Sequence, residues 1–406
     1  MKILIASTRE LCYFSGSFFL DRIQEGLERA GVEVVRLDFS GNEADFSALE
    51  KQLGKTFDAI IDINSQLPYL IDDNGKRILD EIRGPFINYI VDHPLYHHPG
   101  LQFPLHNYYA IGIDQHHCQY MREYYPHLKE VRLLPMAGTR AMVVEEFENR
   151  IDDILFMGTY LKDDEIEHKI RGLRSQINNA IYDLAEDLSE VWAEDRVPME
   201  QALYRLLTGF CGSENKGEIE SYIQDVYELS GFSELMNYLF LVDQRRRNEK
   251  RVDVLTGLAK TNTPLTIMGE GWEDAGLDKY QNVVLKPGCT MNHSFEIMAN
   301  HKKILDVNPL FCCGFHDRVM SALANGCVCI SDMSPRFSEE LVNGENIFYY
   351  KKKNLEDVVF DMEKLSQDRL KEVAENGQAY WQSHCTWEIH VKKLLSFIEE
   401  IQKTMK

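Results

Sequence analysis

The stretch Asn308–Cys327 brings the densest set of chemically capable side chains together. It runs Gly314, Phe315, His316, Asp317, Arg318 without interruption, after an apolar run at Ile304–Val307. A glycine lets backbone approach a ligand closely. A helix that starts just beyond it offers unpaired N–H groups to an anion. Arginine suits a phosphate because its guanidinium can bind two oxygens at once, and His316 adds a further donor. The plainer alternative is a local Asp317–Arg318 ion pair with His316 as an ordinary polar contact.

Three more segments share that placement. Gly158-Thr159-Tyr160 follows Ile154–Met157, the pair Gly269 and Gly271 follows Leu265–Met268, and Lys286-Pro287-Gly288 follows Val283–Leu285. Each is weak evidence alone, since G-x-G is common. Their recurrence after consecutive apolar runs points to one ligand-binding edge. In the first half, Asp92-His93-Pro94 follows Phe86–Val91. An Asp–His pair at a strand end is a candidate general base, or a structural histidine beside a turn-forming proline. The Ser7–Gly16 loop lacks G-x-G-x-x-G, which disfavours a dinucleotide cofactor. His97-His98 and His116-His117 are adjacent in sequence and so do not face one metal. No D-x-D occurs. Neither a metal nor a cofactor is therefore expected. The pairs Cys312-Cys313 and Cys327-x-Cys329 read as small apolar residues.

These segments need a scaffold. Apolar runs at Ile3–Ala6, Val32–Leu37, Ala59–Ile63, Phe86–Val91, Tyr109–Ile113 and Val131–Leu134 alternate with amphipathic stretches. That alternation predicts a parallel α/β sheet. A second series follows at Ile154–Met157, Leu265–Met268, Val283–Leu285, Ile304–Val307, Val328–Ile330 and Ile347–Tyr350. Between its first two members, residues 161–251 show helical spacing at Ile170, Leu173, Ile177, Ile181, Leu184 and Leu188, and predict a helical insertion broken near Gly212–Gly217. The expected organisation is α/β, with two Rossmann-like domains facing each other: 1–150, 151–385 with the insertion, and a C-terminal helix in 386–406. Ligands of such sheets bind at the carboxyl ends of strands.

Composition narrows the partners. Of 406 residues 44% are hydrophobic and 11% aromatic, which excludes a mostly disordered chain. The 44 basic and 65 acidic residues give a net charge of −21. Such a field repels nucleic acid and anionic lipid, so neither is an expected partner. Nine irregularly spaced cysteines, and a start too short for a signal-peptide core, fit a reducing, cytoplasmic location. No apolar run approaches the roughly 18 residues that a membrane span needs.

The second half resembles the carboxyl-terminal domain of GT-B glycosyltransferases of the group 1 type. More narrowly it is similar to the CgeB-like group, named after a spore maturation protein. The resemblance runs from Ile154-Leu155-Phe156-Met157-Gly158-Thr159 to Phe348. Gly314–Gly326, the Ile267–Trp272 turn and Leu341-Val342-Asn343-Gly344-Glu345-Asn346 stand in the family's order. It implies metal-independent transfer of a sugar, a hexose by analogy, from a nucleotide-diphosphate sugar. The donor would lie in the second domain, and the acceptor, a protein or glycan, in the first. By position, Gly158 and Thr159 would lie near the donor phosphates, and Lys286, Pro287 and Gly288 near the nucleobase. Gly314 to Arg318 would surround the diphosphate and sugar. Many retaining relatives carry E-x₇-E where this chain has Cys313 and Ser321, which departs from the usual ribose contact. Asp92 or His93 would take the acceptor proton in an inverting reaction, with His316 assisting the leaving group. Two rivals stay open: a nucleotide-sugar epimerase, and a catalytically silent scaffold that binds a protein through the insertion.

Overall fold

The computed structural model describes the chain except residues 8–13, 40–42, 65–66, 72–74, 177–178, 193–196, 333, 335–339 and 406; at 43–46, 163 and 173–176 it describes backbone only. Cys12, Ile177, the Leu173 side chain and most of the Ser7–Gly16 loop therefore lie outside the described residues.

Six strands form the first sheet: β1 (Lys2–Ser7), β2 (Glu33–Asp38), β3 (Ala59–Ile63), β4 (Phe86–Ile90), β5 (Tyr108–Gly112) and β6 (Glu130–Leu133). All pair in parallel, in the order β2-β1-β3-β4-β5-β6. Six more form the second: β7 (Ile151–Met157), β8 (Leu265–Met268), β9 (Val283–Lys286), β10 (His301–Leu305), β11 (Val328–Asp332) and β12 (Phe348–Tyr350). Their order is β12-β11-β10-β7-β8-β9, also parallel. Read from its far edge, that is the doubly wound Rossmann arrangement, with its switch point between β7 and β10. β3, β4 and β5 are buried along their whole length, which is why they read as mostly apolar runs, interrupted only by the buried Asp62 and Asn88.

β10 begins three residues before the apolar run that predicts it. His301, Lys302 and Lys303 are buried in the strand. They are tolerated because they are paired. Lys303 Nζ lies 3.0 Å from Asp152 and 2.7 Å from Glu363, and Lys302 Nζ donates to Gln367 at 2.9 Å.

Between β7 and β8 the described residues contain helices Asp163–Gln176, Asn179–Val191, Met199–Cys211, Lys216–Tyr227, Phe232–Tyr238 and Phe240–Lys260. The predicted break is present: Gly212 caps one helix in the left-handed region at φ 69°, and Asn215 caps the next by accepting from the amides of Gly217 and Glu218. The insertion runs past residue 251, since its last helix reaches Lys260. It does not stay with its own sheet. Its Leu203, Ile219 and Leu235 share one core with Ile60, Ile90 and Tyr120 of the first domain. The C-terminal helix Trp387–Thr404 returns to pack on helix Ser15–Arg29. A cleft lies between the carboxyl edges of the two sheets.

Candidate active site

The cleft holds a cavity of about 380 Å³, within the usual range for small-molecule sites. Loops after β7, β8 and β9 make its second-domain side, together with the start of the helix after β10. Gly158 and Gly269 are locked together: the Gly158 amide donates to the Met268 carbonyl at 2.9 Å. Gly269 has φ +153°, and a Cβ there would overlap the Gly158 carbonyl oxygen. That oxygen also accepts from Trp272 Nε1 at 2.5 Å. Thr159 lines the cavity, and its carbonyl accepts from Arg251 Nη1 at 2.8 Å. The Gly288 amide donates to Glu270 Oε1 at 3.1 Å, which ties the β8 and β9 loops together.

The helix after β10 runs Asp317–Ala324, with His316 as its N-cap. His316 Nδ1 lies 3.2 Å from the Arg318 amide and 2.9 Å from Asp317 Oδ1. One proton decides between them: Nδ1 accepts from the amide when bare and donates to the carboxylate when protonated. Burial works to raise the Asp317 pKa, but the neighbouring His316 and Arg318 outweigh it and hold the group below its usual range. Arg318 lines the cavity, yet its Nη1 donates to Asp306 Oδ1 at 2.7 Å. Asp306 is fully buried and also accepts from Ser331 Oγ at 3.2 Å. The cation at the start of this helix is thus balanced by an internal carboxylate, a partner absent from the local-pair alternative.

Of the expected site residues, Asp92, Gly158, Thr159, Gly269, Gly288, His316, Asp317 and Arg318 line the cavity. Six others do not, each for a physical reason. Gly314 permits a close approach, but to the first domain: a Cβ there would sit 2.9 Å from Asp114 Oδ2. Asp114 also accepts from the Cys313 amide at 2.8 Å, so this loop is an interdomain contact. Phe315 is buried in the core behind it. Gly271, at φ +85°, packs against the Tyr160 carbonyl and caps the turn at Trp272–Asp274. Lys286 and Pro287 are exposed outside the cavity.

His93 is turned out of the cleft. Its Nδ1 accepts from the Leu95 amide at 3.0 Å, its Nε2 lies 3.4 Å from Glu200 of the insertion, and its ring packs edge-on to His117. The expectation that it faces the cleft beside Asp92 is corrected: the proline that follows places it as the cap of a turn. Ser321, at the second E-x₇-E position, is buried and its Oγ accepts from the Thr139 amide.

Sequence reasoning missed Arg251, which comes from the last insertion helix with no motif around it. It also missed Asn64. That residue ends β3 in the left-handed region at φ 50° and holds Asp92: its Nδ2 donates to Asp92 Oδ2 at 2.9 Å, and its Oδ1 accepts from the Val91 amide at 2.9 Å. Methionines 136, 157, 268, 291 and 298 line the cavity too, with Cys289 in contact with Met268. Nothing in the type or spacing of these methionines sets them apart from core residues in the sequence. Among the described residues, no group of three His, Cys, Asp or Glu is placed to hold a metal ion, and no helix is long and apolar enough to cross a membrane.

Residues 245–396 match the family described as "Glycosyl transferase-like". No curated protein matches by sequence. Several solved structures share the fold over nearly the whole chain. A sucrose-phosphate synthase from Thermosynechococcus elongatus is 9% identical, with TM-score 0.56 and 99% of each chain covered. An alpha-glucosyltransferase in complex with UDP and a 13-mer DNA is 12% identical, with TM-score 0.58 and coverage of 98% of this chain and 99% of that one. The HepE protein of Anabaena, in complex with UDP-glucose, is 9% identical, with TM-score 0.51 and coverage of 98% and 100%. The chain has the two-domain α/β fold of GT-B glycosyltransferases.

Proposed function

We propose that the protein is a glycosyltransferase that moves a hexosyl group from a nucleoside-diphosphate sugar to an acceptor hydroxyl, within the CgeB-like group. One observation carries the reading. The segment that matches a glycosyltransferase family, 245–396, contains Arg251, Gly269, Gly288, His316 and Arg318, which all line the interdomain cavity. Similarity and site fall on the same residues.

The chemistry follows from their types. Breaking the bond between the sugar and the diphosphate leaves negative charge on the diphosphate. Arg251 and Arg318 are the cations the described residues bring to the cavity wall, and preorganised positive groups stabilise such charge most where water is excluded. His316, whose ring lines the cavity at the helix start, is the side chain placed to donate a hydrogen bond to a departing oxygen. Glycine loops at 158, 269 and 288 bring backbone close to the nucleotide. Asp92, on the opposite wall, orients the acceptor hydroxyl and takes its proton if the anomeric centre inverts. The two arginines serve in place of a divalent ion, so turnover should survive EDTA.

A thermal-shift screen against nucleotide sugars, followed by detection of the released nucleoside diphosphate with and without EDTA, tests the reading. Stabilisation by one donor and slow donor hydrolysis are expected. Failure of every nucleotide sugar to bind would leave the non-enzymatic scaffold as the better account.

A further inference from the structure

We infer that the first-domain wall of the cleft is an acceptor subsite for an uncharged molecule whose hydroxyl sits on an apolar skeleton, a phenol or an aliphatic alcohol. This rests on the glycosyltransferase reading above and departs from the protein or glycan acceptor expected by resemblance.

The wall is made of Ser15, Phe19, Val91, Asp92, Ile113 and Met136. Four of the six are apolar, and the one charge among them is negative. The wall is preformed. Phe19, Ile113 and Met136 are each about 5–6% exposed, and Phe19 is backed by the Trp387 ring at 6.3 Å. A sugar polymer would bury hydroxyls here with Ser15 and Asp92 as the polar side chains among the described wall residues to receive them, and unpaired buried hydroxyls weaken binding. A polyanion would meet a carboxylate on a half of the chain that carries 15 basic and 22 acidic residues. An apolar skeleton fills the same surface favourably.

Asp92 selects the hydroxyl. Asn64 fixes Oδ2 at 2.9 Å, and among the described residues Oδ1 has no hydrogen-bond partner. A lone hydroxyl among apolar groups would find its acceptor there. In the transfer, the acceptor oxygen bonds to the anomeric carbon. The bond from that carbon to the diphosphate oxygen breaks, with its electron pair on the diphosphate. The hydroxyl proton passes to Asp92 or to the departing diphosphate.

The test begins with donor binding, which judges the glycosyltransferase reading by itself. With a donor that binds, the full chain is then offered three classes of acceptor probe: 4-methylumbelliferone and n-octanol as apolar probes, a malto-oligosaccharide, and a hydroxymethylated DNA duplex. Transfer to the phenol or alcohol, with kcat/KM at least about tenfold above the other two classes, is expected. Equal or better transfer to the oligosaccharide or DNA overturns the inference, and so does donor binding without transfer to either apolar probe. Val91→Asp, with UDP binding retained as the check on folding, should lower kcat/KM for the apolar probe about tenfold or more. Val91→Thr, nearly the same shape, serves if the aspartate variant does not fold and should lower it in the same direction. Unchanged kcat/KM in a folded variant counts against the assignment.

Discussion

Arg318 is held by a carboxylate that never meets water, and this changes what a substitution there reports. Asp306 is 0% exposed, and Arg318 donates to it at 2.7 Å. Removing the arginine leaves a buried charge without its partner, which costs about 3–5 kcal/mol. Arg318→Ala should therefore lose that much stability by urea unfolding, and Asp306→Asn in the same chain should restore part of it. A stable Arg318→Ala protein would show that Asp306 is neutral or solvated. Arg251 is a second probe of charge in the cleft: it lines the cavity, and its Nη1 donates to the Thr159 carbonyl. Arg251→Ala should cut turnover by about 10²–10³ in a protein that still folds, and Arg251→Lys should recover part of the rate. At this scale the sequence discloses residues whose type alone is unusual after a strand, such as Gly158, Gly269 and Arg318. It does not disclose partners. Asp306 pairs with Arg318 from twelve positions away, and Asn64 meets Asp92 from a different strand. Gly314 has the right type for close approach, but what approaches is Asp114 of the other domain.

At the scale of elements, the turn after β8 depends on a backbone conformation that side chains avoid. Gly269→Ala forces an alanine to φ +153° and drives its Cβ into the Gly158 carbonyl. The strain alone is worth roughly 1–3 kcal/mol, and relief would move the β7 loop that borders the cavity. A loss of both stability and UDP affinity is expected. Gly276→Ala is the control: φ is +65° but open space surrounds the added Cβ, so stability should fall modestly with affinity unchanged. The C-terminal helix carries a pH dependence. His390 is buried between that helix and the first domain, its Nδ1 donating to the Pro135 carbonyl and its ring stacked on Tyr89. Burial lowers its pKa from 6.5 to about 4, opposed by that hydrogen bond and aided by Lys393. The unfolded chain thus binds the proton more tightly. The stability is present above about pH 6.5 and is lost as pH falls towards 4, up to roughly 3 kcal/mol. Denaturant midpoints across that window should drop on acidification, and His390→Gln should flatten the slope. A slope unchanged in that variant would assign the dependence elsewhere. Each of the twelve strands contains an apolar run visible in the sequence; those covered on both faces, such as β3, β4 and β5, show no alternation. β10 was legible only in its second half. A buried lysine looks like surface until Asp152 and Glu363 are seen beside it.

The whole molecule is less divisible than its two sheets imply. The insertion leaves the second domain and closes on the first. Asn237 Nδ2 donates to the Leu95 carbonyl at 2.6 Å, Tyr96 OH donates to Asp243 at 2.5 Å, and Phe232 stacks on Tyr124 at 4.8 Å. The C-terminal helix makes a second tie: Gln402 donates to the Asp58 carbonyl at 2.6 Å, and Val391 fills the space above Gly26. As a result two of the three core clusters mix residues from both domains; one holds Ile3, Ile61 and Tyr89 together with Leu155, Ile304 and Val391. None of this is visible in the spacing of apolar residues, which gives the face a helix buries but not the element it buries against. Shared cores make separate unfolding expensive, since melting either sheet strips apolar surface from the other. The full chain should therefore unfold in one calorimetric transition, with van't Hoff and calorimetric enthalpies in agreement. UDP, held chiefly by loops of the second sheet in the proposed site, should raise that transition as a unit, by about 2.7 kcal/mol at a hundred times its dissociation constant. Two resolved peaks, with UDP moving one of them alone, would show that the insertion and the C-terminal helix touch the first domain without coupling it to the second.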